Sequence, residues 1–298
     1  MMNSNNNIFN ATMENCFDSI MKLAGADEFK DTIKRLHIFL KNKEAYSLDD
    51  ITLPNYLLIA KRGGGVTTLL NAFAEYLYAA RAIEFCGTVK FFEFELGYVH
   101  PDAIFSELTR LDNTISSFAG HNRFFKGMIC VNIEEWIEHT GDDHFIKLLN
   151  YISSNNDRLM IIFCIHNDSR NIVEAVESAL SSHIRLESIS LRFPGSNELV
   201  EFVESRYLKG KGLSFEKNAK EKLRETIEEI AAEKQFNGFK SILRLADDIM
   251  YSVFTADTKI KKTISADMLS GYGKNSNYVK RAKAQKNAKK TIGFVERG

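Results

Sequence analysis

Residues 60–70 read AKRGGGVTTLL, and the fold turns on how that stretch is understood. The run ahead of it, YLLIA (56–60), is continuously apolar and bounded by Pro54, as in a buried strand of a parallel sheet. Behind it, Leu69, Leu70, Phe73 and Leu77 recur at helical spacing, so residues 67–83 are expected to be helical. Three consecutive glycines between a strand and a helix form a tight turn whose main-chain N–H groups can face an anion at the mouth of the helix. The plain alternative is a glycine-rich turn that holds no ligand.

The phosphate-binding pattern G-x-x-x-x-G-K-[ST] fits this loop in only part of its positions. Ala60 stands for its first glycine, Gly65 for its second, Val66 for its lysine and Thr67 for its magnesium-binding hydroxyl. Lys61, Gly63, Gly64, Gly65, Thr67 and Thr68 are therefore the candidate phosphate-contacting residues, with Thr67 also the candidate Mg²⁺ ligand. Val66 cannot supply the charge that the lysine brings to the phosphates.

Strands and helices alternate on both sides of the loop. Amphipathic helical patterns lie near 10–23 and 26–42. TVKFFEFEL (88–96), GMICVNI (127–133), LMIIFCIH (159–166) and IRLESISL (184–191) are strand candidates, separated by helical patterns at 101–111, 143–154 and 170–181. Such alternation predicts βαβ units in a three-layer α/β domain built on a parallel sheet. After RFPGS the texture changes: residues 196–208, 214–233 and 238–255 are helical in period, with no strand candidate among them, and 264–270 adds a short helical piece. The expected organisation is a disordered or linker N-terminus (1–20), an α/β domain (21–194), a helical lid (195–272) and a basic tail (273–298).

Composition narrows the class. The chain has 298 residues, 44% hydrophobic and 26% charged, with a formal net charge of zero, as in ordinary globular proteins. From Tyr278 onward there are seven basic residues and one acid, so residues 278–298 carry +6 and the remainder −6. That tail is a candidate contact for nucleic acid or acidic lipid, and equally a solvated appendage. The four cysteines are scattered with no CxxC spacing and read as reduced core residues, so neither a disulfide framework nor a zinc site is expected. His139, His144 and His166 share no metal-binding spacing. No apolar run reaches the ~18 residues that a membrane span needs, and MMNSNNN is not a secretory leader. A cytoplasmic protein with no membrane partner is expected.

Two further strand ends carry polar residues. MICVNIEEW ends in Glu134 and Glu135, and IIFCIHND in Asn167. With the glycine loop, the arrangement resembles the AAA+ ATPase family over roughly residues 20–272. The resemblance implies a P-loop NTPase domain followed by a helical lid, with ATP or ADP and Mg²⁺ as ligands. In LAGADEFKDTIKRLHIFL, Leu23, Ala24 and Gly25 match the segment that contacts adenine. Glu134 matches the Walker B metal-associated acid, with Glu replacing Asp, and Glu135 the water-orienting base. Asn167 matches the sensor-1 residue; His183 stands at the arginine-finger position with Arg185 two residues later; Lys240 takes the place of the sensor-2 arginine, with Arg244 one turn beyond.

The departures point one way. Losing one charged contact in a water-poor site costs ~3 kcal/mol in the transition state, about a hundredfold in rate. The expectation is therefore a nucleotide-binding protein with impaired or lost hydrolysis, a regulatory or assembly subunit that meets a protein partner or its own copies. Two alternatives stand beside it: an active ATPase that remodels a protein partner as a ring, and a nucleic-acid-bound P-loop protein. Trp136, next to Glu135, is expected to anchor packing and not to stack on a ligand.

Overall fold

A computed structural model describes residues 12–45, 52–98, 126–154, 159–255, 263–269 and 271–272, together with 106, 109–113 and 116. The basic tail from residue 273, the polar N-terminus through residue 11 and most of the expected 101–111 helix lie outside these. The chain divides into two units between Phe193 and Pro194.

The first unit runs α1 (Met13–Met21), α2 (Asp27–Ala45), β1 (Asn55–Ala60), α3 (Val66–Ala79), β2 (Phe92–Glu95), β3 (Gly127–Asn132), α4 (Asp143–Ser153), β4 (Leu159–Ile165), α5 (Arg170–Ser181) and β5 (Leu186–Leu191). The five strands are parallel, in the order β2-β3-β4-β1-β5. All six residues of β1 and all seven of β4 are buried, because both faces of the sheet are covered. Alternate residues enter two separate cores. Tyr56, Leu58, Met128, Cys130, Ile162 and Cys164 pack with α1, α2 and α3. Leu57, Ile59, Ile129, Val131, Ile161 and Phe163 pack with α4 and α5.

This segregation follows from the strand order. The β1–β2 crossover runs toward one edge of the sheet, whereas those from β2 through β5 run back toward the other. Right-handed crossovers in opposite directions put their helices on opposite faces. The reversal occurs beside β1, and ligands of open α/β sheets bind outside the carboxyl ends of strands at such a switch point. Two loops lie there: the glycine loop after β1 and the His166–Ser169 turn after β4.

Helix α2 carries a buried titratable group. His37 is 8% exposed, stacks on Phe17 with ring centroids 4.2 Å apart, and places Nδ1 3.1 Å from the Tyr76 hydroxyl. Burial lowers its pKa below 6.5, helped by the Lys41 charge and opposed by Glu14. The unfolded chain thus holds this proton more tightly. The stability contribution is full above the unfolded value and is lost as pH falls through the lower folded value. Urea titrations below pH 6.5 should therefore show a falling midpoint, and His37→Gln should remove part of that slope.

The second unit has α6 (Ser196–Val203), a π turn at Glu204–Leu208, β6 (Ser214–Phe215), α7 (Lys217–Ala231), α8 (Gly238–Thr255) and β7 (Thr263–Ile264). Glu198 folds back to accept from Gly195 N at 2.8 Å, which fixes the start of α6. Helices α6, α7 and α8 pack together and bury Leu199, Val203, Leu223, Ile227, Ile242, Leu245 and Ile249. The expectation of no strand in this region is corrected. β6 and β7 pair in parallel through Ser214–Thr263 and Phe215–Ile264. Two-residue strands are too short to carry an alternation that a sequence could display.

Candidate functional site

The glycine loop owes its shape to specific backbone requirements. Gly63 and Gly65 adopt φ of 78° and 84°, a region open mainly to glycine. A Cβ on Gly64 would lie 2.8 Å from Lys61 O, the acceptor of the Gly64 N–H at 2.9 Å. Each of the three glycines thus has its own reason to be one. Gly65 is the N-cap of α3 and supplies no side-chain hydrogen bond. The first-turn N–H groups at Val66, Thr67 and Thr68 lack intrahelical acceptors and share the positive end of the helix dipole. Thr67 and Thr68 are exposed. Val66 is half-buried and packs against the core cluster on the α1–α3 face.

Neighbouring strand ends converge on this loop through hydrogen bonds that the sequence did not signal. His166, directly after β4, donates its main-chain N–H to Glu134 Oε2 at 2.5 Å. Its Nδ1 lies 3.0 Å from the carbonyl of Ala60, the last residue of β1. His166 therefore ties the carboxyl ends of β1, β3 and β4 into one group. Asp168 forms an ion pair with Lys61 at 3.2 Å. Both partners are about two-thirds exposed, so the pair adds at most ~1 kcal/mol to stability. Asp168→Ala should accordingly shift the melting temperature little, while removing a negative charge beside the loop.

The other candidate residues divide between the two edges of the sheet. Asn132 ends β3 and caps the following turn, its Oδ1 accepting from Glu134 N at 3.0 Å. Glu135 turns toward β2, where its Oε2 accepts from Tyr98 N at 2.7 Å. Asn167 Oδ1 accepts from Ser169 N at 2.9 Å, which is ordinary turn chemistry ahead of α5. Leu23 packs on the α1–α3 core, and Gly25 turns the chain at φ 70°. Arg192, just after β5, donates to Asp27 Oδ2 at 2.8 Å. That bond holds the Leu23–Gly25 turn at the carboxyl edge of the sheet, the edge of the glycine loop.

His183 and Arg185 precede β5 and sit at the opposite, amino edge. His183 Nδ1 lies 2.8 Å from Asn150 Oδ1 on α4, and the Arg185 carbonyl accepts from Asn55 Nδ2 at 3.2 Å. The six-residue β1 separates that edge from the loop by about 17 Å. The structure therefore does not bring them to this chain's own loop. Lys240 and Arg244 lie exposed on α8 of the second unit.

Trp136 is fully buried, stacked on Phe145 with centroids 5.3 Å apart, and donates Nε1–H to Gly97 O at 3.1 Å. It anchors packing, as expected. The four cysteines are free, and Cys130 and Cys164 meet in the core at 3.1 Å. Among the described residues no group of three His, Cys, Asp or Glu could hold a metal, and no helix is long and apolar enough to cross a membrane.

No family model matches the chain, and no curated protein matches it in sequence. Solved structures do. A mutant of Thermotoga maritima RuvB matches at 14% identity over 84% of this chain and 70% of its own, with a TM-score of 0.50. C. elegans PCH-2 matches at 13% identity over 84% and 68%, with a TM-score of 0.49. Drosophila ORC bound to poly(dA/dT) DNA and Cdc6 matches at 12% identity over 82% of this chain and 41% of its own, with a TM-score of 0.47. At such identities the likeness is one of fold. The RuvB match gives this chain a fold like that of RuvB, with an α/β unit built on a five-stranded parallel sheet.

Proposed function

We propose that this chain is an AAA+ nucleotide-binding protein that holds ATP or ADP but hydrolyses it weakly or not at all, and that it works as a regulatory or assembly subunit. The observation that carries this is the loop itself: a glycine nest at the start of α3, at the switch point of the sheet, with an aliphatic side chain facing the core where a lysine would reach phosphate.

The residues fit the ligand. Gly63 to Thr68 offer main-chain donors to phosphate oxygens, and the turn at Gly64 is too tight against the Lys61 carbonyl to admit a Cβ. Mg²⁺ bound with a nucleotide takes few protein ligands, since phosphates and waters supply the others. Thr67 and Glu134 would be those ligands, and the ion would neutralise phosphate charge. Leu23, Ala24 and Gly25 would meet the adenine. Glu134 also accepts from His166, which fixes its orientation. Glu135, the candidate base, is held at Tyr98 N instead. That engagement and the missing lysine both support weak turnover.

The placement of His183 and Arg185 at the far edge of the sheet supports a role toward a second copy or another protein. Purified chain with saturating MgATP should release phosphate no faster than a buffer blank. Release at several per minute would overturn the reading. Lys61, held beside the loop by Asp168, favours the alternative of a working ring ATPase. Under that alternative Lys61→Ala would abolish turnover that the parent shows.

A further inference from the structure

A hollow in the first unit lies away from the phosphate loop. A cavity of about 740 Å³ opens at the amino edge of the sheet, between α2 and the starts of β1 and β5. Its volume falls within the range of small-molecule sites, roughly 300–1,000 Å³. Three features give it chemistry.

The first is a buried hydroxyl. Tyr56 lines the cavity, is 1% exposed, and its hydroxyl makes no hydrogen bond to another described residue. Burial, with the negative charge of Glu187, pushes its pKa up and keeps the phenol protonated. A buried hydroxyl without a partner is costly, and a ligand group that meets it recovers that cost. The second is charge. Glu187 is engaged by Arg35 and Thr32, whereas the Arg185 side chain has no ion-pair partner among the described residues. The lining thus carries two arginines against one glutamate, a surplus of one positive charge. The third is an apolar wall made by Leu36, Phe39, Leu53 and Leu186.

We infer that this cavity is a binding site for a small organic anion with an apolar, ring-sized body, its charge meeting Arg185 and a hydrogen-bonding group at its far end meeting the Tyr56 hydroxyl. The site is separate from the phosphate loop, because it sits at the other end of β1. Phosphate ions alone would leave the apolar wall and Tyr56 unmet, so the anion must carry a body.

The test uses the full chain and 4-hydroxyphenylacetate, with the neutral 4-hydroxyphenylacetamide and inorganic phosphate for comparison, followed by ligand-observed NMR titration. The carboxylate probe should bind saturably and displace neither ATP nor ADP. The amide and phosphate should each bind about tenfold more weakly, the difference expected of one charge-assisted contact. Arg185→Ala should weaken the carboxylate about tenfold, and Tyr56→Phe about threefold to tenfold. Tyr56→Phe keeps the ring, and Arg185→Lys keeps the charge and should restore part of the binding, so a folding defect is separable from a lost contact. Equal binding of acid and amide, no saturation at ten-millimolar probe on the order of the weakest useful affinities, or binding indifferent to both Arg185→Ala and Tyr56→Phe would overturn the inference.

Discussion

Val66→Lys is expected to tighten ATP binding by about tenfold to a hundredfold, the effect of one charge-assisted contact worth ~1.5–3 kcal/mol. The glycine turn beside position 66 is in place: the positive φ at Gly63 and Gly65, the tight Gly64 turn, and the first turn of α3. A lysine at 66 can lay its aliphatic stem on the surface that Val66 covers and present its ammonium group toward the phosphates. The gain should be larger for ATP than for ADP, because that charge acts on the β- and γ-phosphates. Turnover should stay close to the parent's, since Glu135 remains bonded to Tyr98 N. Unchanged affinity would mean that position 66 does not face phosphate. Turnover restored by this substitution alone would mean that Glu135 leaves Tyr98 and is available as a base, and the proposed second cause of weak hydrolysis would fall.

Trp136→Ala should lower unfolding stability by about 3–5 kcal/mol, as when other large core aromatics are truncated. Its indole is 0% exposed, stacks on Phe145 and lies 5.0 Å from the Tyr98 ring. The substitution also leaves the Gly97 carbonyl without its donor. Because Glu135 is bonded to the next residue, Tyr98, the loss loosens the link between the ends of β2 and β3. Chemical denaturation should report it, and Trp136→Phe should recover most of the stability. A change below about 1 kcal/mol, the level of ordinary surface substitutions, would contradict this packing role.

Much of the fold was legible because buried parallel strands are continuous apolar runs. LMIIFCI and NYLLIA declare themselves by composition, and the helices between them by period. The change of texture after RFPGS lies beside the division of the chain into two units, between Phe193 and Pro194. The β6–β7 pair was not legible, since two residues carry no pattern. Within the candidate site, the glycine loop could be read because glycine marks backbone conformation directly. The roles of His166 and Asp168 could not. His166 acts through its main-chain N–H and a ring nitrogen on a strand paired in space with β1, and Asp168 pairs with a lysine 107 positions earlier. Both follow "IIFCI", so polar residues just past a buried strand were the available signal. The diversion of Glu135 toward Tyr98 depends on a loop whose path no local pattern specifies. The placement of His183 and Arg185 at the edge away from the loop follows from the parallel β1–β5 register, which sets the start of β5 beside the start of β1.

Whether the glycine loop holds a nucleotide is decided by titration calorimetry with ATP and ADP, first without and then with magnesium. Saturable binding of one nucleotide per chain is expected, and Gly64→Val should abolish it, because the added Cβ would meet the Lys61 carbonyl. No phosphate should appear in the cell afterwards. Absence of binding by the parent chain at millimolar nucleotide, or binding that Gly64→Val leaves intact, would contradict a phosphate site in this loop.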